Sequence, residues 1–451
     1  MSSDAADRSQ ADAHRRWLRG AKVAVAATLF VASFWLLHTT GGSGGLATGI
    51  AVTLCVSWYF AWHRGHSYRR QLWTAARTLA VVTLLWDGAS FTRYVATDNG
   101  DTVDQKMATW GRDHGLGDVI NYLETIVYND PPSRRPAEEL TLATPTSAPA
   151  PPTTEAAVAT TTTVPTPQAP APLATYFDPA LPGEGQWSAV ASAGGQPAIW
   201  ATSMRPLPEF GGVVLSMVVI DQTYVRAGMF NGSEQPGGTW TRDSKVPPEL
   251  YPSLLAVMNG GFRFEHMDGG YMTEGKVVQE LQQGRATLAI DRQGHISVGE
   301  LGRDLFDDGS WLTLRQNLIL LVDGGQPMLE RGKQEHIFWG ADQGNEVYVN
   351  RSAACEFADG RFAYVMAGRV DAPQLAQVLI NVGCVKAIQL DINNAWPTFL
   401  LYEHGLDGSL LPHPLDKRMN INPQRYVQGS SKEFFAFFDA TLVPEQSVLD
   451  A

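Results

Sequence analysis

The chain has 451 residues and a formal net charge of −12. This acidic balance argues against nucleic acid as a partner, because phosphate backbones are bound by basic surfaces. The length exceeds that of one ordinary domain, and the first and last thirds differ sharply in composition, so we expect at least two compartments.

Apolar stretches near the amino terminus predict an α-helical membrane anchor. Residues 23–40 and 45–62 are each 18 residues long and contain no Lys, Arg, Asp or Glu. Each could cross the hydrocarbon core of a bilayer as a helix. A third stretch, residues 72–91, carries Arg77 and Asp87 near its ends, so the arginine must snorkel if this stretch spans.

The distribution of basic residues orients this membrane region, residues 23–91. Four Arg and Lys residues lie within residues 15–22 and three Arg lie within residues 64–70, whereas the loop at residues 41–44 has no charge. Because short cytoplasmic loops hold an excess of Lys and Arg, this pattern predicts three transmembrane helices, a cytoplasmic amino terminus at residues 1–22 and an extracellular carboxyl-terminal part. The expected location is the cell membrane, as a multi-pass protein; two spans followed by a cytoplasmic amphipathic helix are the alternative.

A juxtamembrane segment, residues 92–130, leads into a stretch dominated by Pro, Thr and Ala, residues 131–175. Such a composition cannot build a hydrophobic core. We expect residues 131–173 of this stretch to be a semi-rigid extended spacer that reaches roughly 130 Å at about 3.1 Å per residue. The spacer would hold the following domain away from the membrane.

Residues 176–443 form the predicted extracellular domain, and residues 444–451 are a short tail. Short apolar runs bounded by Gly, Pro, Asp and Asn predict an α+β fold that is β-rich, with a mixed sheet. A short helix is predicted at residues 247–250. The predicted strands are residues 213–220, 254–258, 286–290, 318–322, 361–367 and 385–390.

One longer helix is clearly encoded at residues 374–382. Asp371 can cap it, Pro373 suits its first turn and Gly383 can close it. With a strand on either side it forms a βαβ unit, which predicts a right-handed parallel crossover with ligands beyond the carboxyl ends of its strands. Asp391 lies at such an end and is therefore the first site candidate.

Two other segments carry residue types suited to a site. Asn259, Gly260, Gly261 and Phe262 directly follow a buried strand, and the glycines permit a close approach of the backbone. A tight hairpin turn is the alternative. Arg351 precedes a run of small residues and offers a forked donor for phosphate or carboxylate, with a structural ion pair as the alternative.

These segments, in this order and at roughly this spacing, resemble the phosphodiester glycosidase family, with its N-acetylglucosamine-1-phosphodiester alpha-N-acetylglucosaminidase-like domains. The overall layout resembles bacterial envelope members of that family. The matching pieces are residues 259–262, 269–276, 320–324, 351–353, 374–383 and 390–391. The chain departs from the family after Asp391: the family has a glycine run and a serine, whereas residues 392–396 here read Ile-Asn-Asn-Ala-Trp.

The resemblance implies a membrane-anchored extracellular hydrolase that cleaves glycosyl 1-phosphodiester bonds on envelope glycans or glycolipids. Because the departing phosphate is already a stable anion, the site must neutralise it, stabilise an oxocarbenium-like centre and direct water. We assign Arg351 to the phosphate and Asp391 to the cationic centre or the water. Asn259 and the amides of Gly260 and Gly261 are assigned to sugar or phosphate oxygens.

Further residues complete the predicted site. Glu274 is the candidate second carboxylate, although Glu-Gly-Lys is also common in turns. Phe262, Asn393 and Trp396 would supply polar and stacking surface for the substrate. Trp396 and the altered loop also favour a second hypothesis, a catalytically inactive module that binds envelope glycans on a membrane-tethered stalk.

The sequence requires no cofactor. The histidines lack the spacing of zinc ligands, and a divalent cation held by Asp391 and Asn393 is an alternative. Cys355 and Cys384 are candidates for a disulfide if the domain is extracellular, with two buried thiols as the alternative. Arg315 is either a further phosphate ligand or a surface residue.

Overall fold

The computed structural model describes residues 68–97, 100–143, 167–335, 337, 339, 347–392 and 395–451. The chain divides into two units, residues 1–97 and 98–451. The α-helices in the described residues are α1 (Tyr68–Ala96), α2 (Val103–Gly111), α3 (Gly117–Val127), α4 (Leu329–Gln334), α5 (Ala372–Asn381) and α6 (Arg425–Gln428).

Strands dominate the second unit and form three sheets. The strands are β1 (Ser188–Ala193), β2 (Gln196–Met204), β3 (Leu215–Ile220), β4 (Val225–Phe230), β5 (Leu254–Asn259), β6 (Tyr271–Thr273), β7 (Lys276–Gln279), β8 (Ala286–Asp291), β9 (Ile296–Glu300), β10 (Trp311–Gln316), β11 (Val322–Asp323), β12 (Gln326–Pro327), β13 (Val349–Phe357), β14 (Phe362–Val370), β15 (Cys384–Ile392), β16 (Phe399–His404), β17 (Leu410–Pro414) and β18 (Phe434–Asp439). The sheet orders are β1-β2-β3-β14-β13-β15-β11-β12, β7-β6-β10-β8-β9 and β17-β16-β5-β18-β4.

The predicted strands lie close to observed ones, with one clear exception. The run at residues 318–322 is buried as expected, but only Val322 joins a strand, because Leu318 adopts a left-handed backbone conformation with φ of 60°. The short helix predicted near residue 247 is a 3-10 turn at Pro248–Ser253. The helix predicted at residues 374–382 is α5.

Helix α5 begins where its capping residues predict. The Asp371 side chain accepts a hydrogen bond from the Gln374 amide, and the Gln374 side chain binds back to the Asp371 backbone. Leu375, Val378 and Leu379 are fully buried against the eight-stranded sheet. Burying each such side chain stabilises the fold by about 1.5–3 kcal/mol, so this face fixes the helix on the sheet.

The predicted parallel crossover is present, but the mixed sheet is not. Strands β14 and β15, which flank α5, run in the same direction, yet β13 lies between them and pairs antiparallel with both. Every strand pair in the described residues is antiparallel, because the crossover skips over an oppositely directed strand. Asp391 still lies at the carboxyl end of its strand.

The main hydrophobic core lies where the three sheets meet. It combines side chains such as Val218 and Tyr364 from the eight-stranded sheet, Leu288 from the second sheet, and Met258 and Phe437 from the third. Residues of β5 and β18 therefore have one face in this core. The polar residues at the ends of β5, β15 and β18 lie at the edge of the same packed region.

Helix α1 covers the third stretch predicted to span a membrane. Among the described residues, no helix combines the length and the apolar character needed for a membrane span, so that prediction is not supported for residues 72–91. Both earlier predicted spans, residues 23–40 and 45–62, lie outside the described residues.

Both ends of the predicted spacer are bound to the domain. The Ala143 amide donates to the Leu415 carbonyl oxygen, and the Leu173 amide donates to that of Gly185, each at 2.9 Å. Thr141 also donates to the buried Asp416 carboxylate at 2.8 Å. Backbone groups at both ends of the predicted spacer thus take part in the domain's own hydrogen bonding. The middle of the predicted spacer, residues 144–166, lies outside the described residues.

Candidate functional site

Asp391 and Lys432 form a buried ion pair between two sheets. Asp391 lies near the end of β15 and is 6% exposed, and Lys432 lies just before β18. The Lys432 ammonium contacts the Asp391 carboxylate and also donates to the Gly261 carbonyl oxygen at 2.9 Å. The pair thus joins the strand end to the loop that follows β5.

The environment of Asp391 brings the pKa of its carboxyl close to neutrality. Burial raises the pKa of this carboxyl from 3.8 to about 6, because removal from water disfavours the charged form. Lys432 and Arg315 lower the pKa and Glu433 raises it, so burial outweighs the adjacent ammonium. A carboxyl with such a pKa can take up or release a proton at physiological pH.

Gly260 and Gly261 allow the Glu433 carboxylate to lie close to their backbone. The Gly261 amide donates to the Glu433 carboxylate at 3.0 Å. A Cβ at Gly260 would clash with that same carboxylate, so a larger residue does not fit. The Gly261 amide, for which the sequence predicts a contact with substrate, therefore binds within the protein, because a buried carboxylate needs donors.

Glu433 forms a second buried ion pair, with Arg315. The two side chains are 2.7 Å apart and almost fully buried. The Arg315 guanidinium also lies 5.6 Å from the ring centres of both Phe264 and Tyr271. Arg315 is thus neither a surface residue nor a free phosphate ligand.

Asn259 is a framework residue of the site. Its amide nitrogen donates to the Gly260 carbonyl at 2.9 Å and to the Ser352 hydroxyl at 3.1 Å. Its oxygen accepts from the Tyr364 hydroxyl at 3.0 Å and from the Thr398 amide at 2.8 Å. With these bonds the side chain fixes the loop after β5, and the geometry gives no support to its predicted contact with substrate.

Arg351 is likewise turned inward. It is 0% exposed, and its guanidinium donates to the carbonyl oxygens of Val370 at 2.9 Å, Trp339 at 2.6 Å and Val347 at 3.2 Å. A guanidinium that holds three backbone carbonyls is a structural clamp. The geometry therefore gives no support to the predicted phosphate role of Arg351.

Glu274 lies in the turn between β6 and β7. It has a φ of 51° and accepts a hydrogen bond from the Arg242 amide at 2.7 Å. These contacts agree with the turn alternative. The carboxylate that acts electrostatically on Asp391 is instead Glu433.

Trp396 stands beside the Asp391–Lys432 pair. The Lys432 ammonium and the Arg425 guanidinium each lie 5.1 Å from the centre of its ring, in cation–π range. Phe262 is buried, and its amide donates to the Asn317 side chain at 3.2 Å, so it packs within the core. Asn393 lies outside the described residues.

Cys355 and Cys384 are joined by a disulfide between β13 and β15. The bond therefore ties the strand of Asp391 to its neighbour. Within the ranges that the structure describes, no three residues among His, Cys, Asp and Glu gather to hold a metal ion.

Lys432 and Glu433 are the site residues that the sequence reasoning missed. They follow two serines and precede the apolar run Phe-Phe-Ala-Phe-Phe that opens β18. Two adjacent charged residues directly before a buried strand are the signal that could have identified them. Charged groups at such a position need buried partners.

Comparison with known proteins shows what the chain is similar to. Residues 253–391 match the phosphodiester glycosidase family. The catalytic domain of zebrafish N-acetylglucosamine-1-phosphodiester alpha-N-acetylglucosaminidase, auto-inhibited by its pro-peptide, is 17% identical, with a TM-score of 0.38 over 56% of this chain and 87% of that one. A hypothetical protein from Synechocystis is 12% identical, with a TM-score of 0.35 over 55% and 63% of the two chains.

The search of curated proteins found no match. The family match ends at Asp391 and leaves out Lys432 and Glu433. Its 253–391 range contains β5, the Gly260–Gly261 loop, Arg315 and all of β15 up to the candidate carboxylate. Over this part of its length the chain is similar to the phosphodiester glycosidase family.

Proposed function

We propose that this protein hydrolyses glycosyl 1-phosphodiester bonds on envelope glycans or glycolipids. The observation that carries the proposal is the Asp391–Lys432 pair, which combines a carboxyl of pKa about 6 with a cation at a strand end inside the family segment. The carboxyl handles a proton, and the cation offsets phosphate charge.

In the proposed reaction, water attacks the anomeric carbon of the sugar. Asp391 in its ionised form takes a proton from that water, the bond from the anomeric carbon to the phosphate oxygen breaks, and the phosphomonoester departs with the bonding electron pair. In this proposal Lys432, which is slightly exposed, offsets the charge of the departing group. Trp396 would form the wall beside the sugar.

The first test is hydrolysis of a panel of sugar 1-phosphodiesters by the full chain and by Asp391→Asn. General base catalysis contributes about 10²- to 10⁴-fold, so we expect the variant to lose that factor in kcat while it keeps its circular dichroism spectrum. Asp308→Asn is the matched control, because Asp308 is an exposed carboxylate that contacts only its own turn through Ser310. Full activity of Asp391→Asn would contradict the proposal.

The alternative function is binding of glycans without catalysis. Trp396 beside two cations would suit an anionic sugar under either function. If no panel member is hydrolysed but the chain still retains envelope glycans, the binding module is the better account.

The membrane location also belongs to this proposal. Its support is the pair of charge-free stretches at residues 23–40 and 45–62 and an apolar stripe on α3. The stripe residues recur at helical spacing and are all exposed: Val119, Tyr122, Leu123, Ile126 and Val127. Such a stripe favours contact with lipid when it follows membrane segments in the chain. Extraction of the full chain from membranes by alkaline carbonate would contradict an integral anchor.

A further inference from the structure

The segment that precedes the Pro/Thr-rich stretch lies against the site. Asp101 is 7% exposed, pairs with Arg425 at 3.0 Å and accepts a hydrogen bond from the Ser431 hydroxyl at 2.7 Å. Gln105, on α2, is 1% exposed and donates to the Ala395 carbonyl oxygen. Both side chains are therefore committed to the distal part of the domain.

Each of these contacts is one step from a site residue. Ala395 is bonded to Trp396, and Ser431 is bonded to Lys432. Arg425 lies over the Trp396 ring, and its guanidinium also donates to the Ser430 hydroxyl at 3.2 Å. Through Asp101 and Gln105, this segment thus contacts the two loops that carry Trp396 and Lys432.

We propose that Asp101 and Gln105 are positioning residues, which hold Trp396 and Lys432 against Asp391 through Ala395, Arg425 and Ser431. This inference rests on the proposed hydrolysis. Under this inference, residues 100–111 form one wall of the site, although they lie far from residues 253–391, which match the family.

The charges explain why this wall matters. The Asp101 carboxylate compensates the Arg425 guanidinium, and both side chains are almost fully buried. Without that carboxylate, the Arg425 guanidinium would lose its charge compensation beside the indole ring that Lys432 also contacts, and repulsion between the two cations would increase. A buried cation that loses its partner is strongly unfavourable, so we expect the two loops to loosen.

Loss of Asp101 should also reach the titration of Asp391. The charged groups that act on Asp391 are Lys432, Glu433 and Arg315, and uncompensated Arg425 would add positive potential to them. Positive potential favours the carboxylate form, so the pKa of Asp391 should fall. A merely structural role of Asp101 would not move this titration.

The test compares the full chain with Asp101→Asn, Asp101→Glu and the control Asp118→Asn, which removes an exposed carboxylate from the first turn of α3. We expect Asp101→Asn to lower kcat at least tenfold and to shift the acid limb of the pH–rate profile to lower pH. Asp101→Glu should restore part of kcat, and Asp118→Asn should behave like the parent chain.

Amide hydrogen exchange of residues 425–433 gives a readout that needs no substrate. Faster exchange in Asp101→Asn than in Asp118→Asn supports the positioning role, and equal exchange overturns it. If the parent chain hydrolyses nothing, the proposed function fails while this readout still decides whether Asp101 holds the loop.

Two further outcomes are decisive. A rise in kcat for Asp101→Asn would overturn the inference, because the segment would then obstruct the site. If Asp101→Asn does not fold, Gln105→Met takes its place, with the same expected loss of kcat and faster exchange at residues 395–399. Unchanged values for that variant would overturn the inference.

Discussion

Arg351 and Lys432 are both buried cations near the end of β15, yet the hydrogen bonds that the structure describes for them differ in kind. Arg351 holds three backbone carbonyls, whereas Lys432 contacts a carboxylate whose pKa is near 6. The hydrogen bonds of Arg351 stabilise the fold. The Lys432–Asp391 pair places a cation next to a carboxyl that can titrate. The contrast teaches that the partner of a cation, more than its type or its motif, indicates its role.

The same division runs through the whole site. Asn259, Gly260 and the Arg315–Glu433 pair form a framework whose polar groups bind one another. In the proposed function, Asp391, Lys432 and Trp396 form the side that meets a ligand. Three substitutions test this division, in order of decreasing expected effect.

Replacing Arg351 with Met should break the fold more than any other change near the site. Three buried carbonyl oxygens would lose a charged donor, and we expect the free energy of unfolding to fall by about 3–5 kcal/mol. Urea unfolding followed by circular dichroism measures this, with Arg361→Met as the control at a more exposed arginine. Normal stability together with weakened binding of a phosphodiester would return Arg351 to the role of phosphate ligand.

Replacing Lys432 with Met should harm catalysis more than folding. Loss of one preorganised charge costs about 10²-fold in kcat, by analogy with oxyanion donors. Lys432 lowers the pKa of Asp391, so its removal should raise that pKa further. The rate of the parent chain should rise as pH passes about 6, and in the variant this rise should move to higher pH. If the acid limb of the pH–rate profile stayed at the same pH in the variant, Lys432 would not act on the pKa of Asp391.

Replacing Gly260 with Ala gives the smallest of these effects. The added methyl group clashes with the Glu433 carboxylate, and overpacking of this kind costs about 1–3 kcal/mol. Gly261→Ala should cost less, since its nearest neighbours would be 3.2–3.3 Å away. Gly117→Ala, where a methyl group meets open space, is the control for thermal unfolding. Equal melting temperatures for these three variants would contradict the close packing of Glu433 against the Gly260–Gly261 loop.

Local signals in the sequence predicted much of the fold and one half of the site. The caps of α5, the buried run of β5 that ends in Asn-Gly-Gly, and the strand that ends at Asp391 are all short-range patterns. The other half depends on register. In the antiparallel pairing of β18 with β5, Phe434 is opposite Asn259, and this brings Lys432 and Glu433 beside the Gly260–Gly261 loop.

Sequence could not reveal that register, because nothing local links residues about 170 positions apart. The same limit applies to Arg351, because three of its acceptors are backbone carbonyls, which any residue type could supply. It also applies to residues 131–143, whose Pro-rich composition predicts a spacer although their backbone binds the domain.

The most direct test of the account is the position of bond cleavage in water enriched in ¹⁸O. With a sugar 1-phosphodiester that the full chain hydrolyses, ³¹P NMR reports whether the released phosphomonoester contains the heavy oxygen. Attack on the anomeric carbon, directed by Asp391, predicts a phosphate with no ¹⁸O and a release that is slowed about 10²- to 10⁴-fold in Asp391→Asn. Heavy oxygen in the phosphate would show attack at phosphorus and would contradict the glycosidase mechanism.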